Sequence, residues 1–201
     1  MFKNLMLERK SMINLPLVLQ IFALINPLSS LPVLVVAHKR GLNVKGIALQ
    51  ATFIAFAIAV AIIALGQYIF ILFNVGIDEF RIAGGVVLFL LGLSTARNSV
   101  ATYTKVDSAE AITSLIATPL LTGPAVISFI TIKTYELGTF VVSINTFLSF
   151  VLVGVVFYTL SSLIPRINLR VVGILSRILG LFLLAVSIGM ISTGIKEIFG
   201  I

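Results

Sequence analysis

Six apolar runs dominate this chain, and each is close to the ~20 residues that a helix needs to cross a bilayer. They cover residues 14–37, 46–73, 80–97, 111–134, 138–164 and 171–195. The chain is 59% hydrophobic and 10% charged, whereas a soluble domain is about half apolar and about a quarter charged. Because only short links separate the runs, the sequence predicts an all-α membrane protein with six transmembrane helices.

Lys and Arg are unevenly divided between the links. When residues at the ends of a run are counted with the nearest link, links one, three and five have eight of them, links two and four with the C-terminus have three, and the N-terminal tail adds three. Since cytoplasmic loops have the excess of positive charge, we expect both termini to lie outside a cell (inner or plasma) membrane. The net charge of +7 is scattered between apolar runs, which argues against a nucleic-acid partner.

The N-terminus allows two other interpretations. Residues 1–13 form an N-terminal tail. Because a chain that begins at Met12 would lack the three tail charges, a true translation start at Met12 is one alternative. A cleaved signal peptide is the second alternative, although no A-x-A site ends the first apolar run.

Two motifs recur in the same order. "NPLSSLP" (26–32) and "TPLLTGP" (118–124) share a polar residue, Pro-Leu, a hydroxyl residue at the fifth place and Pro at the seventh. "RIAG" (81–84) and "RILG" (177–180) follow the first proline of each motif by 54 and 58 positions. The spacing predicts a duplication, with repeat 1 at 14–97, a connecting loop at 98–110 and repeat 2 at 111–201. Three spans per repeat make the repeats inverted, an architecture typical of secondary transporters.

Each proline pair predicts a break, in the first and fourth helices, because proline lacks an N–H and clashes with the carbonyl four residues earlier. Freed amides suit a carboxylate and freed carbonyls suit an ammonium group, so two breaks together match a zwitterionic amino acid. The candidate substrate-binding residues are Asn26, Pro27, Ser29, Ser30, Thr118, Pro119, Thr122, Gly123, Pro124, Gly84 and Gly85, with Gly180 as a further wall. Helix packing alone is the competing interpretation of the glycines.

Several other residues are expected in helix contacts or at the membrane interface rather than in the binding site. The spacings 51-55-59 and 185-189-193 are typical of helix-packing seams, Asn145 suits either a helix contact or the site lining, and His38 is expected at the membrane interface. The sequence contains no cysteine and none of the common hydrolase motifs, so we expect no enzyme, no metal site and no cofactor. A coupling ion, H⁺ or Na⁺, stays open, because no carboxylate lies within a span.

The motif residues resemble the MarC-related family of six-span integral membrane proteins, also described as neutral amino-acid transporters. The resemblance rests on "INPLSSLPVLV", "FRIAGGVVLFLLGL", "ATPLLTGPAVIS" and "RILGLFLLAVSIGMISTGI". It implies two inverted three-helix halves that transport small neutral amino acids such as glycine, alanine or serine. The chain differs from the family pattern at Ser29, Ser30, Leu115, Ala125 and Thr193.

These observations favour a secondary transporter of a small neutral amino acid that works by alternating access in the lipid bilayer. An exporter or channel for another small solute and a non-transporting membrane scaffold are the alternatives. The sequence leaves open whether the protein forms a homo-oligomer.

Overall fold

The computed structural model of the chain describes residues 12–97, 112–113, 121–164 and 169–200. Helices joined by short links account for nearly all of these residues, and no β-strand occurs among them. The helices are α1 (Leu15–Ile25), a 3-10 turn (Pro27–Ser30), α2 (Leu31–Lys39), α3 (Val44–Phe73), α4 (Ile77–Ala96), α5 (Pro124–Leu137), α6 (Thr139–Leu163) and α7 (Leu169–Phe199).

Five of the predicted spans are confirmed as helical segments long and apolar enough to cross a membrane, with α1, the 3-10 turn and α2 together forming the first. Their ends lie within four residues of the predicted ends. The predicted fourth span, 111–134, is described only at 112–113 and from residue 121 onward. Its described helix, α5, has 14 residues, so the structure supports the all-helical membrane fold without settling the number of spans.

Apolar side chains face outward as well as inward. Phe53 and Leu72 are 72% and 79% exposed, whereas Ile21 and Leu34 are fully buried. A bilayer accepts such an apolar surface, but it offers no partner for a free backbone N–H or C=O, so spanning segments must be helical wherever they meet lipid. The apolar composition therefore sets both the helical fold and its outer surface.

The most extensive helix contact joins α4 to α7 in antiparallel orientation. Gly92 of α4 lies against Gly180 of α7, and Gly194 near the other end of α7 lies against the Asp78 carbonyl oxygen. A Cβ atom built on Gly180 would approach the Ala96 nitrogen to 2.7 Å. The two backbones can pack this closely because glycine has no side chain at the crossing.

A second antiparallel pair joins α3 to α6. The Phe56 ring lies 5.9 Å from the Phe147 ring and 5.5 Å from the Phe150 ring, centroid to centroid. Nearer the start of α3, the Lys45 ammonium lies 5.6 Å from the centroid of the Tyr158 ring. Aromatic contacts of this kind are favourable beyond the area that they bury.

Two further contacts are parallel. The α1 helix lies along α6, where the Ser149 hydroxyl is 3.0 Å from the Val18 carbonyl oxygen. The α5 helix lies along α3, where the Thr122 hydroxyl is 3.2 Å from the Ala55 carbonyl oxygen and Gly66 contacts Thr131. The α1 and α5 helices also touch each other, so both broken segments belong to the centre of the bundle.

One predicted packing seam is confirmed and the other is wrong. Ala51, Ala55 and Ala59 are fully buried. The residues at 185, 189 and 193 are exposed, and nothing lies within 4 Å of a Cβ built on Gly189. The buried side of α7 instead contains Gly180, Leu183, Ser187 and Gly194. Small-residue spacing identifies a helix face, but the position of the neighbouring helix decides whether that face is covered.

The charged residues separate between the two ends of the bundle. What we call the acidic end contains all four acidic residues of the described part of the chain, Asp78, Glu79, Glu136 and Glu197. What we call the basic end is the opposite end, with Lys39, Arg40, Lys45, Arg97 and Arg170. Two of the basic residues at the acidic end, Arg81 and Lys133, form ion pairs with these acidic residues.

A pair of matched alanine substitutions tests the close α4–α7 contact. We expect Gly180→Ala to lower the free energy of unfolding by about 1–3 kcal/mol, because overpacking forces backbone shifts. Gly189→Ala, in the same helix but facing open space, should be neutral or stabilising, since alanine favours helix. Thermal unfolding in detergent measures both, and equal midpoints for the two variants would contradict the packing.

Candidate functional site

The first break lies at Asn26. Helix α1 ends at Ile25, and Asn26 has left-handed backbone angles, φ 41° and ψ 68°. Its N–H still donates to the Phe22 carbonyl oxygen at 3.0 Å. Pro27 follows and cannot continue the helix, and asparagine is among the few residues that adopt the left-handed conformation readily. The predicted break in the first span is therefore confirmed.

A single 3-10 turn bridges the break. The backbone N–H and the hydroxyl group of Ser29 both donate to the Asn26 carbonyl oxygen, at 3.0 and 2.8 Å. Helix α2 then begins at Leu31 with Pro32 in its first turn, where the missing N–H of proline has no helical partner to lose. Ser29 thus stabilises the turn, which gives this predicted site residue a local backbone role.

Three buried polar side chains have no hydrogen-bond partner in the described structure. Both side-chain atoms of the Asn26 amide and the hydroxyl groups of Ser30 and Thr146 belong to this set. Asn26 is 3% exposed, and Ser30 and Thr146 are fully buried. Burying such a group without a partner costs about 1–3 kcal/mol, which makes these three side chains the candidates for contact with a ligand.

The second break is described from its C-terminal side. Gly123 is extended, with φ −69° and ψ 174°, and α5 begins at Pro124. The Gly123 carbonyl oxygen accepts hydrogen bonds from Val126 and Ile127 at 3.0 and 3.1 Å. Gly123 and Thr122 are buried, whereas Pro124 is exposed. Thr118 and Pro119, which complete the predicted motif, lie outside the described residues.

The two breaks lie at similar depth. Asn26 is 12 residues from Asn14 at the acidic end, or about 18 Å at the helical rise of about 1.5 Å per residue. The 14 residues of α5 separate Gly123 from the same end by about 21 Å at that rise. Both breaks are therefore near the middle of the membrane.

The predicted glycines fall into two groups. A Cβ built on Gly84 would lie 2.7 Å from the Ser128 Cβ of α5, one turn beyond the second break. A Cβ built on Gly85 would lie 3.1 Å from the Ser187 carbonyl oxygen of α7. The structure thus brings Gly84 close to the broken fourth span and leaves Gly85, like Gly180, in the α4–α7 contact, where packing accounts for it.

Asn145 connects two helices. Its Nδ2 atom donates to the carbonyl oxygens of Met12 and Val141 at 2.9 and 2.7 Å, and its Oδ1 atom accepts from the Asn14 N–H at 2.7 Å. Of the two interpretations that the sequence allowed, the structure supports the helix contact. Asn145 anchors the start of α1 on α6.

Sequence reasoning missed an ion-pair network at the acidic end. Arg81 of α4 contacts Asp78 at 2.6 Å and Glu136 of α5 at 2.7 Å, and Lys133 contacts Glu136 at 2.6 Å. The Arg81 side chain is 10% exposed. The arginine stood out only as part of the repeated "RIAG" and "RILG" motifs, and its acidic partner lies 55 positions away, so the sequence had no signal for the pair.

Glu136 lies in the last turn of α5, beyond the predicted fourth span. Burial raises the pKa of its carboxyl group, but hydrogen bonds and charge attraction from Lys133 and Arg81 outweigh burial and hold the pKa below its ordinary value of 4.5. A carboxyl group with a lowered pKa in the folded state stabilises the fold at higher pH. Its contribution is present above the pKa of the unfolded chain and disappears as the pH falls through the folded pKa.

An apolar groove lies apart from the two breaks. It has a volume of about 510 Å³, and the residues that line it come from α4 and α7, with Lys196 at its acidic end. Its other lining residues are Val86, Phe89, Ile188, Ile191, Ser192 and Ile195. None of them belongs to a break, so the groove is a separate feature of the membrane-facing surface.

Removing the Ser30 hydroxyl group should change the free energy of unfolding. We expect Ser30→Ala to raise the free energy of unfolding by about 1 kcal/mol, because it removes a buried polar group that has no partner. Ser149→Ala is the matched control, and it should lower the free energy of unfolding by about 1 kcal/mol, because the Ser149 hydroxyl is hydrogen-bonded to the Val18 carbonyl oxygen. Detergent melting curves compare the two, and a lower midpoint for Ser30→Ala would show that Ser30 has a partner.

The Glu136 carboxylate predicts a pH dependence. Stability should be constant above about pH 5 and fall as Glu136 becomes protonated, with a loss of about 1 kcal/mol for a partly exposed ion pair. Glu136→Gln should remove this component and match the parent protein only at the acid extreme. Melting midpoints measured from pH 3 to pH 7 give the result, and an unaltered pH profile in Glu136→Gln would exclude Glu136 as the source.

Comparison with known proteins finds relatives that are named as membrane proteins. A UPF0056 membrane protein of Methanocaldococcus jannaschii is 30% identical over 196 residues, which cover 88% of this chain and 92% of that protein. A UPF0056 membrane protein of Pyrococcus horikoshii is 29% identical over 188 residues, 90% and 92% of the two chains. One from Bacillus subtilis is 24% identical over 196 residues, 90% and 93%.

No solved structure matches the chain at a significant level. The family model described as "MarC family integral membrane protein" matches residues 12–199. That match covers both breaks and both arginine motifs, and it extends over nearly the whole chain. The chain therefore belongs to the MarC family of integral membrane proteins.

Proposed function

We propose that this protein is a secondary transporter of small neutral amino acids of the glycine, alanine or serine type. The observation that carries the proposal is the set of unpartnered polar groups at the first break, Asn26 and Ser30, buried near the middle of the membrane. A buried amide N–H can donate to a carboxylate, and the amide and hydroxyl oxygens can accept from an ammonium group. A small zwitterion needs both kinds of partner.

The helix contacts support an inverted repeat. In such a repeat α1, α3 and α4 of the first half correspond to α5, α6 and α7 of the second half. Exchanging the corresponding helices turns the α1–α6 contact into the α5–α3 contact, and both contacts are parallel. The same exchange maps the α4–α7 and α3–α6 pairs onto themselves, and both are antiparallel. Repeats at 14–97 and 111–201, joined by the 98–110 loop, are consistent with this pattern, which is typical of alternating-access carriers.

The charge separation supports an orientation. We infer that the basic end faces the cytoplasm, since cytoplasmic loops have the excess of Lys and Arg. The ion pairs at the acidic end reinforce this inference, because Arg81 and Lys133 are held by carboxylates there. Both termini then lie outside a cell (inner or plasma) membrane.

A channel or exporter for another small solute and a non-transporting scaffold are the competing proposals. A channel needs an open, hydrated path, whereas Ser30 and Thr146 are fully buried. This closed state favours a carrier, in which the site opens to one side at a time. Transport by a side-chain proton relay is disfavoured, because the described spans have no acidic residue near either break.

Reconstitution tests the proposal. Purified protein in liposomes should exchange labelled glycine, alanine or serine. Asn26→Gly, Ser30→Ala and Thr122→Val should each reduce the rate about tenfold or more, since one lost hydrogen bond of about 1.4 kcal/mol corresponds to tenfold. Thr159→Val is the control, because the Thr159 side chain is exposed and bonds only within α6.

The outcomes separate the alternatives. Unchanged flux in the three site variants would reject the site, and flux without saturable counterflow would indicate a channel. Competition among solutes would identify a different substrate. A melting midpoint that no amino acid shifts, combined with no flux, would leave the scaffold as the explanation.

A further inference from the structure

A seam between α4 and α5 connects the second break to the acidic end. At its deep end Gly84 packs against Ser128, one turn beyond Pro124. At its outer end Arg81 reaches Glu136. Ser128, Ile132 and Glu136 are spaced four residues apart, so they follow one another along the same side of α5. Ser128 and Ile132 are 8% and 2% exposed, so the seam is closed in this structure.

The Arg81 side chain lies across the seam. It contacts Asp78 on its own helix and Glu136 on α5, and Lys133 holds Glu136 from the other side. Of the two α4 residues in this network, Asp78 and Arg81, Arg81 is the one that contacts α5. The network therefore fastens the broken fourth span to the third span at the position where the seam meets the acidic end.

The described part of the second repeat shows no counterpart of this fastening. "RILG" places Arg177 in α7 where "RIAG" places Arg81 in α4. The position that matches Asp78 is Ile174, and the described segment that matches the end of α5 is the end of α2, with Lys39 and Arg40. Arg177 is exposed and forms no ion pair in the described part of the chain. The four described carboxylates all lie at the acidic end, so the network at Arg81 has no counterpart among the described residues around Arg177.

We propose that the α4–α5 seam is the route by which the buried site opens to the acidic end, and that the Arg81–Glu136 ion pair is the latch that keeps this route closed. This inference rests on the proposed transport function for its purpose. The resting carrier is then held shut at the acidic end.

Cysteine labelling tests the latch without a substrate. The chain has no native cysteine, so Ser128→Cys gives a single reporter in the seam. In vesicles of known orientation, a membrane-impermeant maleimide should react slowly from the acidic end. Adding Glu136→Gln should raise the labelling rate from that end about fivefold or more, because losing an ion pair of this kind shifts a two-state equilibrium by such a factor. Labelling from the basic end should not rise.

Glu79→Gln is the matched control, since it removes one carboxylate from the acidic end without touching the network. It should leave the labelling rate unchanged. Ile132→Cys, which lies between Ser128 and Glu136 in the seam, is a second reporter if Ser128→Cys does not yield folded protein. Equal labelling rates with and without Glu136→Gln would overturn the latch, and so would an equal rise with Glu79→Gln.

The same variants keep the latch and the transport proposal distinguishable. Faster labelling in Glu136→Gln, with no amino-acid flux in the parent protein, would support the latch and reject the transport function. Amino-acid flux together with unchanged labelling would support the transport function and reject the latch, and the opening route would then lie elsewhere.

Discussion

The structure depends on one constraint, which is that backbone hydrogen bonds lost inside a bilayer must be replaced within the protein. Two spans lose such bonds at prolines, near the middle of the membrane. In the first span Ser29 supplies donors to the Asn26 carbonyl oxygen, and in the fourth span the Gly123 carbonyl oxygen is taken up by the first turn of α5. The broken segments are central because the surrounding helices shield them from lipid.

The shielding helices are held together by contacts of a different kind. Glycines let α4 and α7 approach closely, while aromatic rings fill the contact between α3 and α6. Asn145 and Ser149 anchor α1 on α6. These contacts satisfy the polar groups that the fold needs for packing, and they leave Asn26, Ser30 and Thr146 unpartnered. A protein that buries polar groups without partners gives up stability, and ligand binding is the use that we propose for this loss.

The two proposed repeats resemble each other in backbone. A broken span and a glycine-rich span occur in each half, and the helix contacts are alike when the halves are exchanged. The described residues differ in charge, because Arg81 meets a carboxylate across the seam, whereas Arg177 meets none of the described carboxylates. In the carrier that we propose, the Arg81–Glu136 ion pair favours the state that is closed at the acidic end.

The sequence by itself determined the membrane class, five helical spans to within four residues, the break at Asn26 and the family, because length, hydropathy and proline chemistry act locally along the chain. Tertiary structure alone decided which small-residue face of α7 is covered, which hydroxyl groups stay unpartnered, and that Arg81 finds Glu136. Those outcomes depend on helix neighbours far apart in sequence, and a local pattern cannot specify them. Ser29 and Ser30 show the difference, since two adjacent serines that look alike in sequence have a bonded and an unbonded hydroxyl group in the fold.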